Sequence, residues 1–133
     1  MASNHNSYAK RPAGVTFTPA AGSSNVSEVT LQVIDRNGRP IASVFNIDVY
    51  LSDSANGDGL TTVTASGAVA VKASNGADLG TIQAKKFLRS QTTTAGKYVL
   101  SITDSAKTAF VVCVAGIGRA NQLSDALVTA NYG

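Results

Sequence analysis

Between Val29 and Asp53 the chain alternates. Val29, Leu31 and Val33 are interleaved with Thr30, Gln32 and Ile34, and Phe45, Ile47, Val49 and Leu51 with Asn46, Asp48, Tyr50 and Ser52. A period of two puts one set of side chains on one face of an extended backbone, so both runs predict half-buried strands, at 26–34 and 44–52. Asp35-Arg36-Asn37-Gly38-Arg39-Pro40 lies between them. Asn-Gly tolerates positive φ and Pro40 has no amide hydrogen to give to a ladder, so this stretch predicts a turn and the two strands a hairpin-like pair.

The same reading extends along the chain. Residues 60–65 (LTTVTA) and 68–73 (AVAVKA) predict two short strands on either side of Ser66-Gly67. Residues 79–89 (LGTIQAKKFLR) alternate weakly and read mostly as strand, with one helical turn over 83–88 as the alternative. Residues 97–103 (KYVLSIT) place Tyr98, Leu100 and Ile102 on one face. Residues 108–115 (TAFVVCVA) are apolar on both faces, the pattern of a central strand covered on both sides. Residues 122–130 (QLSDALVTA) predict a last strand, or else a short helix. About seven to nine short strands, each bounded by turn residues, predict an all-β, antiparallel sandwich or barrel. Residues 1–25 are rich in Asn, Ser, Ala, Gly and Pro and look extended only at Val15-Thr16-Phe17-Thr18. They predict an extended N-terminal arm clamped to a partner, with the sandwich domain spanning 26–133.

Composition narrows the function more than it defines it. The chain has 133 residues, 44% of them hydrophobic and only 14% charged, so it has the apolar material for one core and a weakly charged surface of Ser, Thr, Asn, Gly and Ala. Such a surface suits packing against neighbours. Net charge is +3, and the eleven basic residues are scattered, with Lys10-Arg11 and Lys85-Lys86 the only adjacent pairs. A nucleic-acid binder carries a clustered basic stripe, so no nucleic-acid partner is expected. No run of about eighteen apolar residues occurs, so no membrane partner is expected either. The first fourteen residues contain no apolar run of the secretory kind, and synthesis in a cytoplasm is expected. The single cysteine, Cys113, excludes an internal disulfide and sits in an apolar run as a small hydrophobe.

The search for chemistry finds little. The one histidine, His5, lies in the arm, far from any predicted core, which leaves no natural Ser-His-Asp or Cys-His site and no zinc set. In DSANGDG, taking Ser54 as the first ligand position, Asn56 and Asp58 fall at the third and fifth and Gly59 follows. The first acid is missing, however, and Ala65 stands where a calcium loop needs Glu, so the loop reads as an ordinary turn. Asp53, Asp58 and Asp78 could converge only through the fold. Gly116-Ile117-Gly118-Arg119-Ala120-Asn121 opens like a dinucleotide fingerprint but lacks the third glycine and the following helix. Asn25-Val26-Ser27 satisfies a glycosylation sequon, which has no meaning without export. No catalytic residue, cofactor or metal is expected.

Two motifs carry a resemblance. Val33 to Ile41 (VIDRNGRPI) resembles the strand-D-x-N-G-x-P opening of bacterial immunoglobulin-like and prealbumin-like sandwich modules, and residues 92–104 (TTTAGKYVLSITD) resemble their later strand. The span from about Val29 to Ala115 is also similar to small virion proteins of tailed bacteriophages with head-decoration or head-fibre roles. The similarity is carried by Asp35 to Ile41, Val49 to Asp53, the Gly/Ala/Thr-rich stretch 60–79, Thr94 to Asp104, and Lys107 to Phe110. The resemblance implies an immunoglobulin-like β-sandwich. It further implies a structural, non-catalytic protein of the capsid exterior, whose partners are the major capsid protein and possible copies of itself. Tyr8, Lys10, Arg11, Val15 and Phe17 are the candidate partner-binding residues of the arm. The alternative is an immunoglobulin-like adhesin or fibre module that binds carbohydrate or a host cell surface.

Overall fold

The computed structural model describes residues 11–133. Its body is an antiparallel β-sandwich. One sheet contains β1 (Gly14–Ala21), β2 (Val26–Ile34), β4 (Val69–Val71) and β7 (Lys97–Thr103), in the spatial order β1-β2-β7-β4. The other contains β3 (Asn46–Ser52), β5 (Ala77–Gln83), β6 (Phe87–Gln91), β8 (Val111–Ala115) and β9 (Gln122–Leu123), in the order β5-β6-β3-β8-β9. The one helical element among the described residues is a 3-10 turn at Thr129–Asn131.

The period-two pattern becomes the core. Val29, Leu31 and Val33 of β2 and Tyr98, Leu100 and Ile102 of β7 face Ile47, Val49 and Leu51 of β3 and Val112 and Val114 of β8. The strand read as doubly covered is so: Val111 and Cys113 point to the other side of β8 and are buried there with Tyr50, beneath Leu60 and Phe87. The Tyr50 and Phe87 rings meet at 5.8 Å and a 41° tilt. After β9 the chain returns along the body. Leu127 N–H donates to Phe110 O (2.9 Å), the Tyr132 hydroxyl to Thr108 O (2.7 Å) and Gly133 N–H to Val26 O (2.9 Å), which buries Leu127 and Tyr132.

A polar knot joins the sheets along one side. Asp78 of β5 accepts the Tyr98 hydroxyl (2.5 Å) and the Ser90 hydroxyl (2.9 Å) at Oδ1, and Val71 N–H (2.9 Å) at Oδ2. β4 and β7 belong to one sheet and β5 and β6 to the other, so a single carboxylate ties four strands. Burial raises the Tyr98 phenol well above its ordinary range, and the bond to Asp78 adds to the effect, so the ring stays a neutral donor.

Four expectations need correction. The runs at 26–34 and 44–52 are strands, but they do not pair with each other. Turn 35–40 does reverse the chain, forming an Ile34–Pro40 bridge and an Ile41 N–H to Val33 O bond (3.0 Å), and the chain then crosses to the opposite sheet. β2 pairs with β1 and β7, and β3 with β6 and β8. Residues 60–65 form a loop, because Asp53 captures them: it accepts the Thr61 hydroxyl (2.5 Å), Thr62 N–H (2.8 Å) and the Thr62 hydroxyl (2.7 Å). Such local side-chain bonds offer the backbone an alternative to a ladder. Residues 79–89 are two strands, not one, turning at Lys85 with φ 63°. Residues 122–130 give a two-residue strand and the 3-10 turn.

The boundary placed near residue 25 also moves. Residues 14–21 are an edge strand of the sandwich, in register with β2 from Gly14–Ile34 to Ala21–Ser27. Gly22 N–H donates to Val26 O and Val15 N–H turns away to Gln122 Oε1, so the main-chain N–H groups of the odd positions of β1 face away from β2. Pro19 holds one of those positions, where a missing N–H costs no ladder bond.

Two predictions follow from this architecture. A chain lacking residues 1–25 loses β1, with the buried side chain of Val15 and its cover over β2, and is expected to unfold at clearly lower urea concentration than the full chain, by about 3 kcal/mol or more. An unchanged midpoint would mean that β1 is not part of the cooperative unit. Gly96, at φ 73°, would place a Cβ against the main-chain oxygen of Ile41, whereas Gly38, at φ 79°, has open space around it. Gly38→Ala should cost only the roughly 1–2 kcal/mol of left-handed backbone, and Gly96→Ala clearly more, in the same urea measurement.

Candidate functional site

Most chemically capable groups in this sandwich hold the chain's own loops. Asp35 accepts Asn37 N–H (2.8 Å) and Arg39 N–H (3.0 Å) and fixes the turn after β2. Asp53 fixes the loop after β3, and the Thr61 hydroxyl bond is the main reason its carboxyl lies at about 2. Asp104 is buried after β7 and accepts Ser66 N–H (3.2 Å) and Thr108 N–H (3.0 Å). Burial alone would raise this carboxyl, but the hydrogen bonds from Thr108, Ser66 and Ala106 outweigh it and hold it below the usual carboxylate range. Cys113 is fully buried, and desolvation pushes its thiol up to about 11, which keeps it protonated. The Tyr50 hydroxyl donates to Gly57 O (2.8 Å) and accepts from Asn121 Nδ2 (2.9 Å).

Asp53, Asp58 and Asp78 do not converge, and among the described residues no group of three or more His, Cys, Asp and Glu side chains could hold a metal ion. Gly57 of the DSANGDG loop instead packs against Tyr50, Cys113 and Leu123, so the loop covers the outer face of β8.

The feature that stands out is a cleft at one end of the sandwich, about 680 Å³ in volume. Antiparallel pairing brings the turn after β2, the loop after β8 and the start of β1 to this end. Arg11 enters from the segment before β1, Arg36 from the turn and Arg119 from the loop, and Pro12, Ala13, Gly118, Ala120 and Gln122 complete the lining. No carboxylate is among the described residues that line it. Its walls are tied together. Ala13 N–H donates to Ile34 O (2.9 Å), and Gln122 accepts Val15 N–H (3.3 Å) while donating to Ala120 O (3.2 Å). Gly118, at φ 71°, lies so close to Ala13 that a Cβ would stand 2.7 Å from its carbonyl oxygen. Three guanidinium groups held on tied segments form a positive, concave surface whose planar N–H forks match oxyanions.

The candidate residues of the arm therefore separate. Tyr8 and Lys10, like His5, lie outside the described residues. Arg11 lines the cleft. Val15 is buried in the chain's own core and Phe17 is half-buried against it, so their apolar surface is used within the fold because β1 is a strand of the sandwich. Arg36 and Arg119 were not among the candidates. The sequence marks Arg36 only as part of a turn and Arg119 only as part of an incomplete glycine fingerprint. No family model matches this chain, and a search of characterised proteins finds no match either.

The depressed carboxyls predict the acid limb of stability. A group whose folded value lies below its unfolded one contributes stability above the unfolded value, and loses it as pH falls through the folded one. For Asp53 and Asp104 that window opens near about pH 4 and, for Asp53, closes near about 2. The urea midpoint should fall across this window, and Asp53→Asn should flatten the fall. Equal slopes in the two proteins would remove Asp53 from the account.

Proposed function

We propose that this chain is a structural virion protein that binds the outer surface of a tailed-phage capsid, in a decoration or head-fibre role, and performs no catalysis. The observation that carries the reading is the division of polar groups: Asp35, Asp53, Asp78 and Asp104 brace the chain's own loops, while Arg11, Arg36 and Arg119 gather at one open end. A rigid block with one charged face is built to adhere. Its partners are the major capsid protein and further copies of itself, and its place is the capsid exterior after synthesis in the host cytoplasm. Many identical weak contacts on a lattice sum through multivalency, so no single contact has to be tight.

The strand order supports an immunoglobulin-like reading in part. β1-β2-β7-β4 facing β9-β8-β3 matches the arrangement of an ABED sheet on a GFC sheet. The β5–β6 hairpin, which follows β4 and adds beyond β3, is a departure from it. The motifs around Asp35 to Ile41 and Thr94 to Asp104 support the same reading. A groove of about 350 Å³ lined by Tyr50, Leu60 and Phe87 favours the second reading, a carbohydrate-binding adhesin. Tyr50 is only 6% exposed with its hydroxyl engaged, so a sugar would meet little beyond Phe87 and Leu60.

Mass spectrometry of purified phage particles should find the polypeptide in fixed ratio to the capsid protein, and recombinant chain should rebind stripped particles saturably. Particles that lack it, and take up none, would overturn the proposal. Selective binding on a glycan array in their place would favour the adhesin.

A further inference from the structure

We infer that the arginine cleft is the contact site for a carboxylate-rich polypeptide segment on the surface that this protein binds. The inference deepens the adhesive reading and rests on it, adding the chemistry of the partner.

Three observations carry it. First, the arginines come from three separate segments and meet in one concavity of about 680 Å³. A protein whose basic residues served only solubility would have no reason to bring them together. Second, the segments are tied. The Arg36 turn is organised by Asp35, which accepts Asn37 and Arg39 N–H groups, and the Arg119 loop is tied to β1 through Gln122. Guanidinium groups anchored on a rigid frame lose less freedom when they engage an oxyanion. Third, the surrounding end is positive as well. Arg39 and Lys97 are exposed there, while the local acid, Asp35, is buried and bonded to its own turn. An acidic segment is therefore attracted from about a Debye length away, and is then held by the bidentate geometry that arginine offers carboxylates.

Nucleic acid fits the same surface less well. No aromatic side chain is among the described residues that line the cleft, so there is no platform on which to stack a base. Lys72 and Arg89 are paired to Glu28 and Asp48 on the sheets, so among the described residues these two do not extend the basic surface for a phosphate backbone to follow.

The test titrates the full chain, labelled with nitrogen-15, with a capped peptide of alternating aspartate and glutamate at low and at physiological salt. Amide shifts should concentrate at Ala13, Gly118, Ala120 and Gln122 and shrink as salt rises. Arg36→Glu with Arg119→Glu should weaken the peptide at least about tenfold, while a charge-matched control, Lys86→Glu with Arg89→Glu, should weaken it much less. The amide spectrum of each variant reports whether it remains folded, and Arg119→Gln alone supplies a milder change with the same expected direction. Shifts spread evenly over all basic residues, an equal loss in the control, or tighter cleft binding by oligothymidylate than by the peptide would each overturn the inference. The particle experiment separates the two proposals. Peptide bound in the cleft, with no binding to particles, sinks capsid adhesion and leaves the cleft. Particle binding that survives both charge reversals, with no peptide bound, sinks the cleft and leaves adhesion.

Discussion

Carboxylates facing main-chain N–H groups are what allow this sandwich to have long connections. A loop that crosses between sheets must satisfy its own backbone, and this chain repeatedly does so with an aspartate at the start of the loop. Asp35 closes the turn after β2, Asp53 gathers Thr61 and Thr62 after β3, and Asp104 holds the 66 and 108 main chain after β7. Asp78 applies the same chemistry between sheets, with Tyr98 and Ser90 as further donors. Hydrogen bonds to a charged acceptor are about twice as strong as neutral ones, so one side chain can replace several missing ladder bonds. The arrangement also shapes the outside. Of the chain's eight acidic residues, these four are bonded to the chain's own donors, and none of them is among the described residues that line the arginine cleft.

The edges of the sheets are guarded against strand addition by another chain. β1 is eight residues long, but Pro19 occupies an outward position and Val15 N–H is taken by Gln122. β4 and β9 have three and two residues. β5 has register irregularities at Asp78/Gly80 and at Thr81/Gln83. Each is a known way of blunting an edge against strand addition. Among the described residues, therefore, contact through side chains at the ends of the sandwich is favoured over extension of a sheet, and this is where the arginine cleft lies.

What the sequence made legible follows from what is local. The inward alternation of β2, β3 and β7 and the double coverage of β8 are properties of consecutive residues, and they are present in the structure as read. The differences come from what the alternation of consecutive residues does not show. Nothing local shows that Val33 and Ile47 lie on opposing sheets, since a turn motif specifies a reversal and not the sheet that receives the next strand. The 79–89 run concealed a hairpin because its turn uses Lys85 in the left-handed region with no Gly, Asn or Pro to mark it. Residues 60–65 have strand composition, and composition does not show that the nearby Asp53 captures Thr61 and Thr62 as a loop. Residues 1–25 read as a polar arm clamped to a partner because β1 has few large apolar residues, yet Val15 and Phe17 suffice to seat residues 14–21 on the edge of β2.

The cleft was illegible for the same reason, and more completely. Arg11 belongs to the Lys10-Arg11 pair and is marked by it, but Arg36 and Arg119 are single charges in unlike contexts, and nothing local joins the three. They become neighbours only because β2 ends, β8 ends and β1 begins at one end of two stacked sheets. A tertiary charge cluster of this kind has no sequence signature. Its supporting residues do carry a trace: Asn37-Gly38 marks a tight turn beside Arg36, and Gly118 permits an approach to Ala13 that any side chain would obstruct. Gly38 supplies the left-handed backbone of its turn and Gly118 the close packing of two main chains, so glycine serves a different end in each loop. Gly118 sits in a stretch that opens like a dinucleotide fingerprint, but in this fold it lets the loop after β8 close against Ala13.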